Sequence, residues 1–390
     1  MFTLKYKITF LIIILSSVYS TFGLAEYLAI VDAGSSSSRV YFYKAQNNQI
    51  TDLTPQGLKS VTPAIANLST DAASVQQYSK NLSDPVLNIT DNGHVILPSE
   101  INFYVLATAG MRLANPNIAK TLYPLLTQDL LTDGFAKVTV QTIPGKMEGA
   151  YDWLALNYLK NTLSGPSQQT VGILDMGGAS TEIVFATQKH IPQPSDVLII
   201  KINNMTYQLY SHSYLGLGED VARSQYMNDA NCFPVDYVLP NGSNGVGQYN
   251  ACLRDTTSLI KKVQHVDLPF LPNTQKFYAI SGFYYTGTEK PFGFTDTLTL
   301  STFVEKGQGL CASNWSELQT NYPGDKYLYT ACFNSAYFNA LLTQGYSFGV
   351  RGGDELQLGN SINNTAIDWT LGAALYFSTE QIGKLNVGYP

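Results

Sequence analysis

Two short stretches of the 390-residue chain carry the same chemical pattern. LAIVDAGSSSSRVYFY (Leu28–Tyr43) and VGILDMGGASTEIVFA (Val171–Ala186) each run from an apolar segment into Asp-x-Gly, a set of small residues, and a second β-branched and aromatic segment. A tight Gly/Ser turn after a strand exposes consecutive backbone N–H groups, which form an anion-binding concavity. Glycine lets a phosphate approach the backbone closely, and serine hydroxyls add donors. Asp32 and Asp175 hold equivalent places just before the two turns. Two carboxylates and a polyphosphate repel one another, so such a site needs a divalent cation between them. Hard oxygen ligands with retained waters suit Mg2+ or Ca2+. A pair of ordinary hairpin turns in which each Asp caps the backbone would read the same way in a single copy; two copies weaken that alternative.

Glu148 follows Gly145 at the start of a predicted helix, with Gly149 leaving space beside it. A carboxylate there would orient and deprotonate a water attacking phosphorus, or would simply answer the helix macrodipole; the residues alone leave both open. Arg112, after the turn ATAG, and Arg39 would pair with phosphate oxygens or with acidic residues. Other machinery is missing: Gly145-Lys146 is followed by Met147, so there is no GxxxxGK[ST] loop, and neither a GxSxG elbow nor a GxGxxG fingerprint occurs. His94, His190, His212 and His265 are scattered, which suits packed or surface roles better than metal ligation.

The elements that must position these groups follow from the apolar pattern. Each copy of the repeat reads as strand–turn–strand, suggesting two similar units facing each other across a cleft. Strands are predicted at Ile101–Gly110, ending in a small-residue turn, at Lys137–Ile143, and in KFYAISGFYYTG. Helices are predicted after Gly110 with a break at Pro116, over Gly145–Lys160, in ACFNSAYFNALLTQGYSF, and over Ile367–Thr379; NGSNGVG (Asn241–Gly247) reads as a loop.

The chain is 45% hydrophobic with 26 Tyr, 18 Phe and 3 Trp, enough to bury a core and to exclude general disorder. Its length fits one large or two ordinary domains. With a formal net charge of −6 and no basic run, a duplex-binding surface is excluded. Lys5 and Lys7, the apolar Ile8–Leu15 and the small-residue Gly23-Leu24-Ala25 read as an export signal spanning 1–25, too short for a membrane span. Export to the periplasm or outside the cell, with no membrane anchor in the mature chain, is the expectation. Four cysteines allow three pairings, and sequence does not choose among them. Nearest-neighbour bridges, Cys232–Cys252 and Cys311–Cys332, are expected rather than zinc, because no two cysteines have ligand spacing. Sequons at Asn67, Asn81, Asn88, Asn204, Asn241, Asn314 and Asn363 would carry glycan only in a eukaryotic secretory host.

DAGSSSSR (Asp32–Arg39), ATAGMR (Ala107–Arg112), GKMEGAYDWLALNYL (Gly145–Leu159), LDMGGAST (Leu174–Thr181) and SGFYYTG (Ser281–Gly287) stand in the order of five signature regions, and the sequence thereby resembles the nucleoside triphosphate diphosphohydrolases, or apyrases. SHSYLGLGEDVA, QGYSF and DWTLGAALYFST are similar to later landmarks of that family. The likeness covers essentially the whole chain from Leu28, and the four cysteines and missing anchor look more like a secreted bacterial member. It implies an α/β fold of the actin and sugar-kinase type, two ribonuclease H-like lobes with a nucleotide cleft between them. Lobe I would comprise 26–160 with 365–390, and lobe II 161–364. By matching positions, Asp32 and Asp175 would hold the metal largely through waters. Gly34, Ser35, Ser36, Ser37 and Ser38 would cradle one phosphate, and Gly177, Gly178, Ala179, Ser180 and Thr181 the other. Glu148 would be the general base, Ser180 would help to place the water, and Thr108 and Arg112 would line the cleft. Tyr346, with Phe303 as a second choice, would stack on the nucleobase. The implied activity is release of phosphate from nucleoside triphosphates and diphosphates down to the monophosphate, by a monomer. One departure stands out: Glu182 follows the GAST turn, where the family commonly has Gln. A kinase or exopolyphosphatase of the same fold, and a secreted nucleotide binder without activity, are the rival expectations.

Overall fold

The protein is described here from a computed structural model covering residues 25–47, 49–202, 205–264, 266, 268, 271, 276–349, 353–378 and 386–388. The expected export signal, apart from Ala25, lies outside the described residues, as do Asn204, His265 and Thr379.

Two sheets organise the chain. The first grows from a hairpin of β1 (Glu26–Ala33) and β2 (Ser38–Gln46), with β3 (Gln49–Asp52) beside β2. After a small separate hairpin, β4 (Thr90–Asp91) and β5 (His94–Val95), the strands β6 (Ile101–Ala107) and β7 (Lys137–Thr142) continue the sheet, β6 parallel to both β1 and β7. The second sheet repeats this plan. A hairpin of β8 (Gly172–Met176) and β9 (Ser180–Ala186) is continued by β12 (Phe277–Ser281), parallel to β8, and β14 (Glu355–Leu358), parallel to β12. Beyond them, β10 (Val197–Ile202), β11 (Met205–Leu215), β13 (Thr297–Thr299) and β17 (Asn386–Gly388) widen it to eight strands, while β15 (Ser361–Ile362) and β16 (Thr365–Ala366) pair separately. The repeat seen in two hairpin motifs is therefore a repeat of four-strand units.

Strand β1 is buried on both faces, as a central strand with a parallel partner must be. Tyr27, Ala29 and Val31 pack under α1 (Ala72–Ser83) and α3 (Pro116–Thr132). Leu28 and Ile30 turn to the opposite face, toward α4 (Gly145–Leu159) and α11 (Trp369–Phe377). Between β6 and α3 lies the one-turn helix α2 (Ala109–Leu113). Pro116, expected to break a helix, instead begins α3, where its missing N–H is no loss.

Helices α4 and α11 pack against each other between the two sheets. The first lies on β8, β9 and β11 and the second on β1, β2 and β3. The expectation puts α4 in lobe I; its packing is shared between α11 and the strands β8, β9 and β11 of the second sheet. Of the segment 365–390 expected in the first lobe, α11 packs on β1, β2 and β3, while 386–388 pair with β10.

The far side of the second sheet is covered by α6 (Tyr249–Gln264), α8 (Leu300–Ala312) and α10 (Ala331–Asn339), with α5 (Glu219–Ser224), α7 (Gly282–Thr288) and α9 (Trp315–Asn321) at its margins. The segment expected to be one strand, KFYAISGFYYTG, divides into β12 and α7 at Ser281. Disulfides join Cys232 to Cys252 and Cys311 to Cys332. Loops of this length are each worth about 3 kcal/mol on the chain-entropy account. No helix among the described residues is long and apolar enough to cross a membrane.

Candidate active site

The two turns have the same backbone closure. Gly34 N–H donates to the Ser37 carbonyl at 3.0 Å, and Gly177 N–H donates to the Ser180 carbonyl at 3.0 Å. The carboxylates just before them match in register, Asp32 facing Arg39 across β1–β2 and Asp175 facing Glu182 across β8–β9. Both turns open into one cleft of about 490 Å³, lined by Gly34–Ser37 on one side and Gly177–Ser180 on the other. The amides of Ser35, Ser36, Ser37, Gly178 and Ala179 donate to no backbone carbonyl among the described residues, which leaves a set of N–H groups for an anion on each side.

Their supports differ. The second turn is held from behind: the amides of Gly216, Glu219, Asp220 and Val221 donate to the carbonyls of Ala179, Gly177, Gly178 and Gly178 at 2.8–3.1 Å. A side chain at Gly218 would overlap the Ala179 and Ser180 amides, so only glycine allows this approach. The first turn has no such brace; α2 abuts it where Gly110 meets Ser35.

Two expected phosphate ligands are corrected. Ser38 is the first residue of β2 and fully buried, with Oγ 2.5 Å from Tyr78 Oη and its N–H on the Val61 carbonyl. Thr181 is likewise buried in β9, donating its hydroxyl to the Asp175 carbonyl at 2.7 Å. Each lies one pleat past its turn and neither lines the cleft.

Glu148 sits in the first turn of α4 and faces the cleft. The room expected beside it at Gly149 is taken by Val184 and Glu182 of β9. Thr108 lines the cleft, whereas Arg112 does not. Arg112 instead contacts two residues that do, with Nη1 2.9 Å from Glu148 Oε2 and 3.2 Å from the Ile143 carbonyl, and Nη2 donating to Ser180 Oγ at 3.0 Å. Ser180 Oγ in turn donates to Glu182 Oε1 at 2.6 Å, and Ser213 Oγ donates to the same oxygen at 2.6 Å. Burial pushes the Glu148 carboxyl above its usual range, and the Arg112 guanidinium opposes that shift. Burial, then the field of Glu148, raises Glu182 well above the ordinary glutamate range.

Sequence reasoning passed over several groups in the cleft. Asp152, one helical turn after Glu148, and Asp368, the N-cap of α11, add carboxylates to its floor. Ser281 holds φ +52°, rare for a non-glycine residue and a form of strain found at functional sites, and its hydroxyl bonds Asp175. The i,i+4 spacing of Glu148 and Asp152 was a visible signal; for Asp368, only its place before an apolar helix was. Burial raises Asp32 well above the ordinary range, helped by Asp368 and Glu148. Burial lifts Asp175 to about 7 against the Ser281 hydroxyl.

This floor fits a divalent cation. Asp175 Oδ1 and both oxygens of Asp152 are buried without a hydrogen-bond partner. The basic groups nearby are already paired, Arg112 with Glu148 and Arg39 at 3.9 Å from Asp32. No three His, Cys, Asp or Glu side chains among the described residues form a direct ligand set.

The expected base-stacking residues are corrected. Tyr346 and Phe303 are both fully buried, Tyr346 against Tyr214 with ring centres 5.8 Å apart and Phe303 against Phe292 at 4.7 Å. Neither reaches the cleft. On the second-sheet side the cleft wall instead offers Tyr285 of α7, 59% exposed, and Glu219 of α5. Burial raises Glu219 to about 7.

Residues 24–388 match the model of the GDA1/CD39 (nucleoside phosphatase) family. Among curated relatives, "Probable apyrase 5" of Arabidopsis thaliana is 26% identical, the match covering 89% of this chain and 81% of that protein. "Ectonucleoside triphosphate diphosphohydrolase 1" of Bos taurus is also 26% identical, over 89% of this chain and 80% of that protein. Among solved structures, a nucleoside triphosphate hydrolase from Neospora caninum superposes with a TM-score of 0.65 at 14% identity, covering 90% of this chain and 92% of that one. The PPX-GPPA enzyme of Aquifex aeolicus superposes at 0.52 and 14% identity, over 90% and 100%. At that identity the likeness establishes the two-lobed α/β fold.

Proposed function

The chain belongs to the GDA1/CD39 (nucleoside phosphatase) family, and on that premise we propose that it is an exported apyrase. It removes terminal phosphates from nucleoside triphosphates and diphosphates by direct attack of water. The observation that carries this reading is the placement of two matching phosphate turns and Glu148 around one cleft.

The amides of Ser35–Ser37 and of Gly178 and Ala179 bind the terminal phosphates, and the Ser35, Ser36 and Ser37 hydroxyls add donors. The Ser180 hydroxyl donates a hydrogen bond to Glu182 and accepts one from Arg112, so its remaining lone pair accepts from the attacking water. Glu148 accepts the other water proton as the oxygen bonds to phosphorus, and the bond to the bridging oxygen breaks, releasing the shortened nucleotide. Asp32 and Asp175 would hold a divalent cation through its waters, and that ion would neutralise charge building on the phosphates. With Tyr346 and Phe303 in the core, the nucleoside is left to the open wall of Glu219 and Tyr285. Tyr285 has the exposed ring that base stacking needs.

Phosphate release from ATP, ADP and inorganic tripolyphosphate by residues 26–390, with Mg2+, Ca2+ or EDTA, tests the proposal beside Glu148→Gln. Cation-dependent release from both nucleotides is expected, with kcat lower by on the order of 10³ in the variant. Release from tripolyphosphate alone would replace the nucleotide reading with a polyphosphatase. No release at all, with nucleotide still bound, would leave a binding protein.

A further inference from the structure

Helix α4 places Glu148 and Asp152 four residues apart on one face, so both reach the cleft. Asp152 has no part in the proton and phosphate contacts described above. It is only 1% exposed, yet neither carboxylate oxygen has a hydrogen-bond partner. Its carboxyl lies within hydrogen-bonding range of that of Asp175, whose Oδ1 is also without a partner. Asp175, Glu148 and Asp368 act on it from the same floor, with no basic group among the described residues set against them.

Buried carboxylates in this arrangement require a positive partner. A proton shared between Asp152 and Asp175 would remove one of the four charges of Asp32, Asp152, Asp175 and Asp368 and leave three. A divalent cation in the cleft offsets two of them and acts on all four carboxylates. Because no three acidic groups here form a direct ligand set, the contact runs through the ion's waters, whose protons need acceptors, and Asp152 has two free oxygens. We propose that Asp152 is a third carboxylate of the divalent-cation site, accepting hydrogen bonds from the waters of the ion held by Asp32 and Asp175 and raising the affinity for it. This rests on the cation-dependent reading of the site.

The test compares wild type with Asp152→Asn, each with a non-hydrolysable ATP analogue, titrating Mn2+ and following free ion by electron paramagnetic resonance. Melting is measured in EDTA and in Mg2+. An amide can donate to Asp175 while removing one charge from the floor, so the two readouts move in opposite directions. The variant is expected to bind Mn2+ about tenfold more weakly and, in EDTA, to melt higher than wild type. Equal Mn2+ affinity with lower melting in EDTA would make Asp152 a packing group and overturn the proposal. Wild type that hydrolyses ATP in EDTA and binds no Mn2+ would overturn the cation reading itself. Should Asp152→Asn fail to fold, Asp152→Ser provides the same comparison.

Discussion

The two phosphate turns share their backbone closure and differ in what stands behind them. The first is a serine-rich loop that closes on itself and is abutted by α2, where Gly110 meets Ser35 and the Gly34 carbonyl. The second is tied by four backbone hydrogen bonds to the segment 216–221, and its Ser180 belongs to a chain of contacts running through Arg112 to Glu148. The repeated pattern has reproduced one backbone turn, while the Arg112–Ser180–Glu182 contacts belong to the second copy. The expectation is a division of labour: the first turn binds, and the second binds and aligns the water.

Among changes that probe the two turns, the largest effect should come from releasing the brace of the second. Gly218→Ala places a methyl against the Ala179 and Ser180 amides, and kcat/KM for ATP is expected to fall about 100-fold, as displacement of a reacting group by an ångström does. Retained near-wild-type kcat/KM would show that the brace is not what aligns Ser180. A smaller effect should follow Arg112→Gln, which loosens the link between Ser180 and Glu148. Maximal kcat falls about tenfold with loss of a charge-assisted hydrogen bond. Arg112 holds the Glu148 pKa down against burial, so removing it raises that pKa. A base must be deprotonated to work, and the acid limb of the kcat/KM profile therefore moves to higher pH. An unmoved limb would separate Arg112 from the base. The smallest effect belongs to the first turn: Ser36→Ala should raise KM roughly fivefold, one hydrogen bond's worth, with kcat unchanged. A fall in kcat there would erase the distinction between the turns.

The turns, Glu148 and the cysteine pairs were readable because each is a local pattern with its own physical reason. Ser38 and Thr181 were misassigned because a strand's period of two turns the next hydroxyl inward, and the residue at which the pleat begins is set by pairing with Val61 and with β8. Tyr346 and Phe303 were misplaced for another reason. Apolar rings go to the core unless something keeps them out, and sequence does not tell a core ring in a helix from one at a cleft wall such as Tyr285. Asp152 and Asp368 gain meaning only from long-range placement beside Asp175 and Asp32. The lobe boundary was unreadable for a similar reason, since whether α4 covers the first or the second sheet depends on contacts made after the chain has crossed between them.

The crossing of α4 and α11 is close enough that Gly372 rests directly on the Tyr151 carbonyl, with no space for a side chain. Glu148 and Asp152 are carried by one of these helices, and Asp368 caps the other. Points beside a fulcrum travel least when its arms swing. The phosphate turns lie on the arms, one in each sheet, and the acidic floor lies near the fulcrum. Were the angle between the sheets to change about this crossing, the two turns would move further than these three carboxylates.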